Sequence, residues 1–318
     1  MAVFVLGGVN MDISGAPFDT LRTGDSNPGR VSLSPGGVGR NIAENLARLG
    51  RKVFLVSALG DDAYANLIRE HSGNAGIDLR YSVTVPNGRT CTYLCLNEQN
   101  GDLHAAVADM ALCEQLTPDV LSSVLSEINR SELTIVDANL PENTIRWIAE
   151  NVTSPLAADP VSAAKAHKLA PLLPRLSFLK PNIREAAILA RHTFLSNHGE
   201  ASALTEDLPF HAMHYTLLAS ALLSGGVQAV FLSLGAEGVW ADDGRSGELL
   251  PCLPGPVVNT TGCGDAFMAA AADGWLRGFS VPACARRGLA AAALCASGPE
   301  PVSPRLSPEI LDLMSSRL

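Results

Sequence analysis

The sequence predicts an α/β fold: a doubly wound, mostly parallel sheet flanked by helices, with a small β-sheet lid outside it. Three observations carry this expectation. Short apolar runs alternate with helical stripes over most of the 318 residues. Glycine-flanked turns open directly into helices near residues 37 and 263. The segment 80–107 drops the alternation for strand-like pieces joined by turn signals, which sets a few strands apart from the main core. A single domain spanning 1–318 is expected, with segments 13–35 and 80–107 forming the lid.

In chain order, Val3–Val9 is a buried strand feeding a loop. Ile13–Pro35 is rich in Gly, Pro, Ser and Asp, with a weak strand at Val31–Leu33. Gly37–Leu49 carries a helical stripe (Ile42, Leu46, Leu49) closed by Gly50. A strand at Val53–Ser57 and a helix at Asp61–Gly73 follow. Three pieces, Tyr81–Val85, Thr90–Leu96 and Leu103–Val107, are linked by Pro86-Asn87-Gly88 and Asn100-Gly101-Asp102, which are hairpin signals and imply a small antiparallel sheet. Alternation then returns: helix to Asn129, strand Leu133–Val136, helix Pro141–Asn151, strands Leu156–Ala158 and Ser177–Leu179. A polar stretch from His192 to Pro209 precedes a helix at His211–Leu223. Strands at Ala229–Leu232 and Gly238–Ala241, helices at Cys263–Leu276 and Pro282–Ala296, and a short helix from Pro308 complete the chain. In such sheets ligands sit beyond the carboxyl ends of the strands.

Charge and cysteine usage narrow the function. The formal charge is −9, with no cluster of Lys and Arg, which excludes a surface for polymeric nucleic acid. It does not exclude a nucleotide, which backbone amides and a metal ion can hold. Seven scattered cysteines without a CxxC pair fit reduced thiols in the cytoplasm rather than a disulfide framework or zinc site. The N-terminus lacks the basic and apolar regions of an export signal, and no apolar run is long enough to span a membrane.

The strongest chemical candidate is Asn259-Thr-Thr-Gly-Cys-Gly-Asp265-Ala-Phe. Its glycine-flanked turn opens a helix whose first-turn N–H groups and dipole favour an anion. Asp265 lies in that turn, placed to take a proton from an alcohol attacking a bound phosphoryl group; a plain dipole-complementing Asp fits equally well locally. Pro35-Gly-Gly-Val-Gly-Arg-Asn41 permits close backbone approach, with Asn41 able to bond hydroxyls, though a tight turn explains it alone. It is not a dinucleotide fingerprint, because Ile42 stands at the third glycine position, and no P-loop occurs.

Asn10-Met-Asp12 offers a strand-end carboxylate for vicinal hydroxyls, or a turn Asp. Asn182 and Glu185 match a capping box and also suit water ligands of Mg²⁺. Ser233-Leu-Gly235-Ala-Glu-Gly238 is either a hairpin or a phosphate-admitting turn. His211 and His214 lack a third ligand and are read as a solvated face.

The order of these segments resembles the ribokinase-like (PfkB-type) carbohydrate kinase family over nearly the whole chain, most specifically in Thr261-Gly-Cys-Gly-Asp265-Ala-Phe. Within it, Asp25-Ser-Asn-Pro-Gly29, Pro35-Gly-Gly-Val-Gly-Arg-Asn-Ile-Ala43 and Asp159-Pro-Val-Ser162 are similar to the pseudouridine kinase branch. The resemblance implies ATP-dependent phosphorylation of a ribonucleoside 5′-hydroxyl. Asp265 would be the base, with Gly262, Cys263 and Gly264 forming the anion hole. Asp12 and Asn41 would bind ribose hydroxyls, with Asn10, Gly36 and Gly37 nearby and Thr90 or Thr92 reaching the base. Asn182 and Glu185 would organise Mg²⁺ through water, while Ser233, Gly235, Gly238 and Thr261 would line the nucleotide. The lid would pair across a homodimer. Ribokinases usually carry Asp where this chain has Asn259; the neutral amide argues against a monovalent cation. Other readings stay open: a kinase for ribose, adenosine or a sugar phosphate, a catalytically silent nucleoside sensor, and, remotely, a dinucleotide oxidoreductase.

Overall fold

The computed structural model describes residues 2–99, 103–198 and 214–316. The chain opens with β1 (Val3–Leu6), four buried apolar residues, and then leaves the main sheet at once. β2 (Asn10–Pro17) and β3 (Gly29–Gly36) pair antiparallel as a long hairpin. The chain returns through α1 (Val38–Arg48) to β4 (Val53–Val56), β5 (Ala58–Leu59) and α2 (Ala63–Asn74). Asp62 caps α2, accepting the Ala65 N–H at 2.9 Å, as an N-cap aspartate does. Short β6 (Ile77–Asp78) and β7 (Val83–Thr84) precede a second hairpin, β8 (Thr92–Asn97) and β9 (Leu103–Asp109).

After a 3-10 turn at Ala111–Gln115 come α3 (Pro118–Ser122), α4 (Leu125–Asn129), β10 (Leu133–Asp137) and α5 (Glu142–Asn151). Next are β11 (Leu156–Asp159), α6 (Ala163–Ala166), a 3-10 stretch at His167–Arg175, β12 (Leu176–Leu179) and α7 (Ile183–His198). α8 (Tyr215–Ser224), β13 (Val230–Ser233), β14 (Val239–Asp242) and β15 (Gly247–Leu250) follow. α9 (Cys263–Leu276), α10 (Val281–Ala296) and α11 (Pro308–Ser315) end the described chain.

The main sheet runs β15-β14-β13-β12-β11-β10-β1-β4-β6. Its pairs from β6 to β13 are parallel and the last two antiparallel. Alternate side chains divide between two cores. Val3, Val5, Leu133 and Ile135 pack with α1, α9 and α10, while Phe4, Leu6 and Val136 pack with α5, α7 and α8. Burial on both faces is why these strands read as unbroken apolar runs. β1 lies between β10 and β4, where the winding direction reverses. A crevice is therefore expected beyond the carboxyl ends of β1 and β10.

The smaller sheet differs from the sequence expectation. Its order is β3-β2-β8-β9, so Asn10–Asp12 is strand rather than loop, and the weak strand at 31–33 extends over all of Gly29–Gly36. It is mixed rather than antiparallel, because β2 and β8 run parallel. The Tyr81–Val85 piece does not join it: β7 pairs with β5 in a separate two-stranded sheet. The helix expected to run to Asn129 is two short helices, α3 and α4. Strand β15 and helix α6 carry too few residues to show a period. The Asn100-Gly101-Asp102 turn, residues 199–209 of the polar stretch and His211 lie outside the described residues.

Candidate active site

Helix α9 starts at Gly262, an N-cap with φ +83° and no side-chain cap. Only glycine adopts that conformation cheaply, and a Cβ there would collide with the Pro301 carbonyl. The Cys263 N–H leans on Thr260 O at 3.3 Å. Of the expected trio only the Cys263 amide is engaged, while the N–H groups of Gly262, Gly264 and Asp265 have no acceptor among the described residues. Helix α1 starts the same way, from Gly37 at φ +98°, packed against the backbone of Gly8 and Val9.

These two helix heads meet. Asn41 Nδ2, on α1, donates to Asp265 Oδ2, on α9, at 2.8 Å. Asn41 Oδ1 is buried and has no partner among the described residues. Asp265 is 9% exposed, and its carboxyl is pushed up to about 7, chiefly by burial and next by Asp159, with Asn41 and Lys180 opposing. Lys180 Nζ bonds Asp159 Oδ2 at 3.0 Å. Burial alone would lower the Lys180 pKa, but Asp159, Glu185 and Asp265 outweigh it and hold it above the ordinary lysine range. A Cβ on Gly264 would come within 2.7 Å of Lys180 Nζ. That is the physical reason for glycine there: the ammonium reaches the head of α9 through the space a side chain would fill.

A cleft of about 580 Å³ opens beside this group, lined by Lys180, Asn182, Ser233, Gly235, Gly238, Cys263 and Gly264 at its polar end. Leu253, Val257, Leu289, Ala292, Ala293 and Ala296 make the opposite wall apolar. Thr260 lines the cleft and Thr261 does not: Thr261 is exposed, its amide bonded to Asn259 Oδ1 at 3.0 Å. Gly238, at φ +108°, lies against the Leu250 carbonyl, so the Ser233–Gly238 turn is both the hairpin and part of the wall.

Asn182 and Glu185 form the capping box. Glu185 Oε2 accepts the Asn182 N–H at 2.8 Å and Asn182 Oδ1 accepts the Glu185 N–H at 3.0 Å. Burial, then Asp159, raises the Glu185 pKa. Among the described residues no group of three or more His, Cys, Asp or Glu could ligate a metal directly. The remaining lone pairs of Glu185 suit a water-mediated ion.

On the smaller sheet, Asn10 Nδ2 donates to Asp12 Oδ1 at 2.5 Å. Gly36 is required because a Cβ would strike the Asp12 carboxylate. Burial raises the Asp12 pKa, against the Asn10 hydrogen bond and the Arg40 charge. Arg40 is buried on α1, bonded to Pro35 O at 2.6 Å and to Glu44.

The two threonines are misplaced for a substrate contact. Thr90 is buried, its hydroxyl donating to Asp62 at 2.6 Å and accepting from the Gly60 amide. Thr92 pairs with Met11 and so faces away from Asp12. Tyr93 pairs with Asp12 on the same face. Sequence reasoning also misses Asp137, which is fully buried and accepts the Gly8 and Asn139 amides at 2.8 Å each, and assigns no role to Lys180. Asp137, Asp159 and Lys180 share one signal: a lone charge at or just past the carboxyl end of an apolar strand.

Among the described residues no helix is long and apolar enough to cross a membrane. The profile of the pfkB family carbohydrate kinases matches residues 2–307. The chain belongs to that family. The relatives of this pfkB-family kinase include the pseudouridine kinase of Escherichia coli K12, 35% identical over 280 residues, covering 87% of this chain and 84% of that one. An uncharacterized sugar kinase of the same organism, YeiI, is 32% identical over 95% of this chain and 80% of its own. The carbohydrate kinase from Agrobacterium tumefaciens superposes with a TM-score of 0.81 at 30% identity, covering 99% of this chain and 97% of that one.

Proposed function

We propose that this kinase transfers the γ-phosphoryl group of ATP to the 5′-hydroxyl of pseudouridine. The observation that carries the reading is the Asp265 carboxyl, held by Asn41 at the head of α9 and shifted to about 7. A base whose pKa lies near the working pH both exists ionised and accepts a proton readily. The similarity to the pseudouridine kinase of Escherichia coli supports pseudouridine as the substrate within the family.

In this reading Asp265 takes the 5′-hydroxyl proton as that oxygen attacks phosphorus in line. The Gly264 and Asp265 amides and the Lys180 ammonium meet the negative charge on the transferring group. The apolar wall of Leu289, Ala292, Ala293 and Ala296 takes the adenine, while Asn182, Ser233, Gly235 and Gly238 follow the phosphates. Asn182 and Glu185 would hold a Mg²⁺ ion through water, and that ion would supply charge neutralisation on those phosphates. Asp12 with Asn10, beside Gly36 and Gly37, grips the ribose hydroxyls. The unpartnered Asn41 Oδ1 accepts a further hydroxyl proton, and Tyr93 replaces Thr90 and Thr92 as the side chain facing the base.

The four-stranded sheet acts as the lid. Its outer face carries Val31, Leu33, Leu94, Leu96 and Val107, all exposed, and the register sets Leu33, Ile13, Leu94 and Val107 in one row. Such an apolar face is covered in solution, and a second copy of this chain is the occupant we assign. Light scattering should give twice the 33.3 kDa chain mass, and Leu94→Asp should halve it.

ADP release measured with pseudouridine, uridine and ribose tests the activity. Pseudouridine alone should be turned over well, with a 5′-phosphate as product. Turnover of ribose without turnover of pseudouridine would replace this reading with a sugar kinase.

A further inference from the structure

Two cysteines face each other at the base of the β8–β9 hairpin. Cys91 immediately precedes β8, and its carbonyl accepts the Met11 N–H at 2.9 Å, so it stands where the hairpin joins β2. Cys113 lies in the 3-10 turn after β9. Their sulfurs are 3.8 Å apart, and both residues are buried, at 1% and 2% exposure. Neither touches the catalytic group. Between them the chain runs out along β8 and back along β9, so the pair spans the two stems of the hairpin.

The two thiols are not equivalent. The contact with Cys113 draws the Cys91 thiol below its ordinary range, against burial and Asp109. The same contact, with burial and Asp137, pushes Cys113 far up, against Lys165. With Cys91 oxidised first, Cys113, 3.8 Å away, is the thiol placed to resolve it.

We propose that Cys91 and Cys113 are a reversible oxidation site whose disulfide staples the base of the β8–β9 hairpin and restrains the sheet that carries Asp12. With hydrogen peroxide as oxidant, the Cys91 thiolate attacks one peroxide oxygen. The O–O bond breaks, leaving a sulfenic acid on Cys91 and one water. Cys113 sulfur then gives up its proton and attacks the Cys91 sulfur; the S–O bond breaks and a second water leaves. Two thiols and one peroxide become one disulfide and two waters, and the two electrons lost by sulfur reduce the peroxide. The sulfurs must close to about 2 Å, which a small shift of the stems permits. Because both thiols are buried, peroxide reaches them when the hairpin base opens, so substrate that holds the sheet closed protects them.

The test uses the full chain carrying Cys95→Ser, which leaves Cys91 as the sole cysteine between residues 80 and 98. After peroxide treatment and alkylation, cleavage at Glu98 and Glu114 separates the two cysteines unless they are joined. A joined fragment, lighter by two hydrogens and split by dithiothreitol, is expected; it should be absent once Cys113→Ser is added. Oxidation of other thiols without this joined fragment overturns the site. The effect on catalysis rests on the proposed kinase reading and is scored separately. Turnover should fall severalfold on oxidation and recover on reduction, with a smaller loss in the Cys113→Ser protein. A complete cross-link that leaves turnover unchanged overturns the restraint. A protein inactive before oxidation instead sinks the kinase reading, while the fragment masses still decide the disulfide.

Discussion

Asn41 Nδ2 donates to Asp265 Oδ2 at 2.8 Å, tying the first turn of α1 to the first turn of α9 across 224 residues of sequence. The contact does more than join helices. It is the leading influence pulling the Asp265 pKa down against burial and Asp159, and so sets how much of the carboxyl is ionised near neutrality.

Replacing Asp265 by Asn should lower kcat by roughly 10²–10⁴-fold, the usual share of a positioned base, with ATP affinity nearly unchanged. The same variant should be more heat-stable than wild type at pH 8. The folded carboxyl, raised from 3.8 to about 7, keeps a proton that the unfolded chain has released. Stability from this group is therefore present below pH 4 and lost as pH climbs to about 7. Melting curves at pH 4 and pH 8 should show the variant's advantage only at the higher pH.

For wild type, kcat/KM should fall as pH drops below about 7, where Asp265 takes up its proton. Asn41→Ala removes the hydrogen bond favouring the charged form, so its acid limb should move to higher pH. A pH–rate profile that stays in place would detach Asn41 from the base.

The two glycines of the α9 turn should fail differently. Gly262→Ala forces a side chain into a left-handed backbone, costing about 1–2 kcal/mol before the collision with the Pro301 carbonyl, and should lower Tm. Gly264→Ala meets only the end of the Lys180 side chain. Its Tm should stay close to wild type while kcat falls, because the ammonium is driven from the phosphate site. Paired thermal melts and initial rates distinguish the two.

Asn259 donates from Nδ2 to Pro299 O at 2.9 Å and accepts the Thr261 N–H at 3.0 Å. Asn259→Asp keeps the second bond and sets a carboxylate oxygen against a carbonyl. A monovalent cation would relieve that repulsion, so turnover of the variant should rise when potassium replaces tetramethylammonium at constant ionic strength. Wild type should respond little, and equal responses would dismiss the argument.

Much of this arrangement is legible in the amino-acid order, and what is not has identifiable causes. Helix α9 runs over its expected limits, Cys263–Leu276, because a glycine turn, an apolar stripe and Asp265 all mark one boundary. The capping box of Asn182 and Glu185 forms as its spacing requires. The smaller sheet is harder to foresee, since its pairing of β2 with β8 joins strands far apart in sequence and running parallel, which no turn signal announces. Thr90 misleads because a strand pattern does not reveal that its hydroxyl is bound to Asp62. Lys180 escapes notice because its importance comes from the space left by Gly264, on another element.

Asp12 belongs to β2, a strand of the smaller sheet, while Asp265 belongs to a helix packed on the larger one. Whatever displacement the smaller sheet undergoes, Asp12 shares. A sugar anchored by that carboxylate would lose its grip in the same movement that uncovers it, so letting go and opening up are one event rather than two.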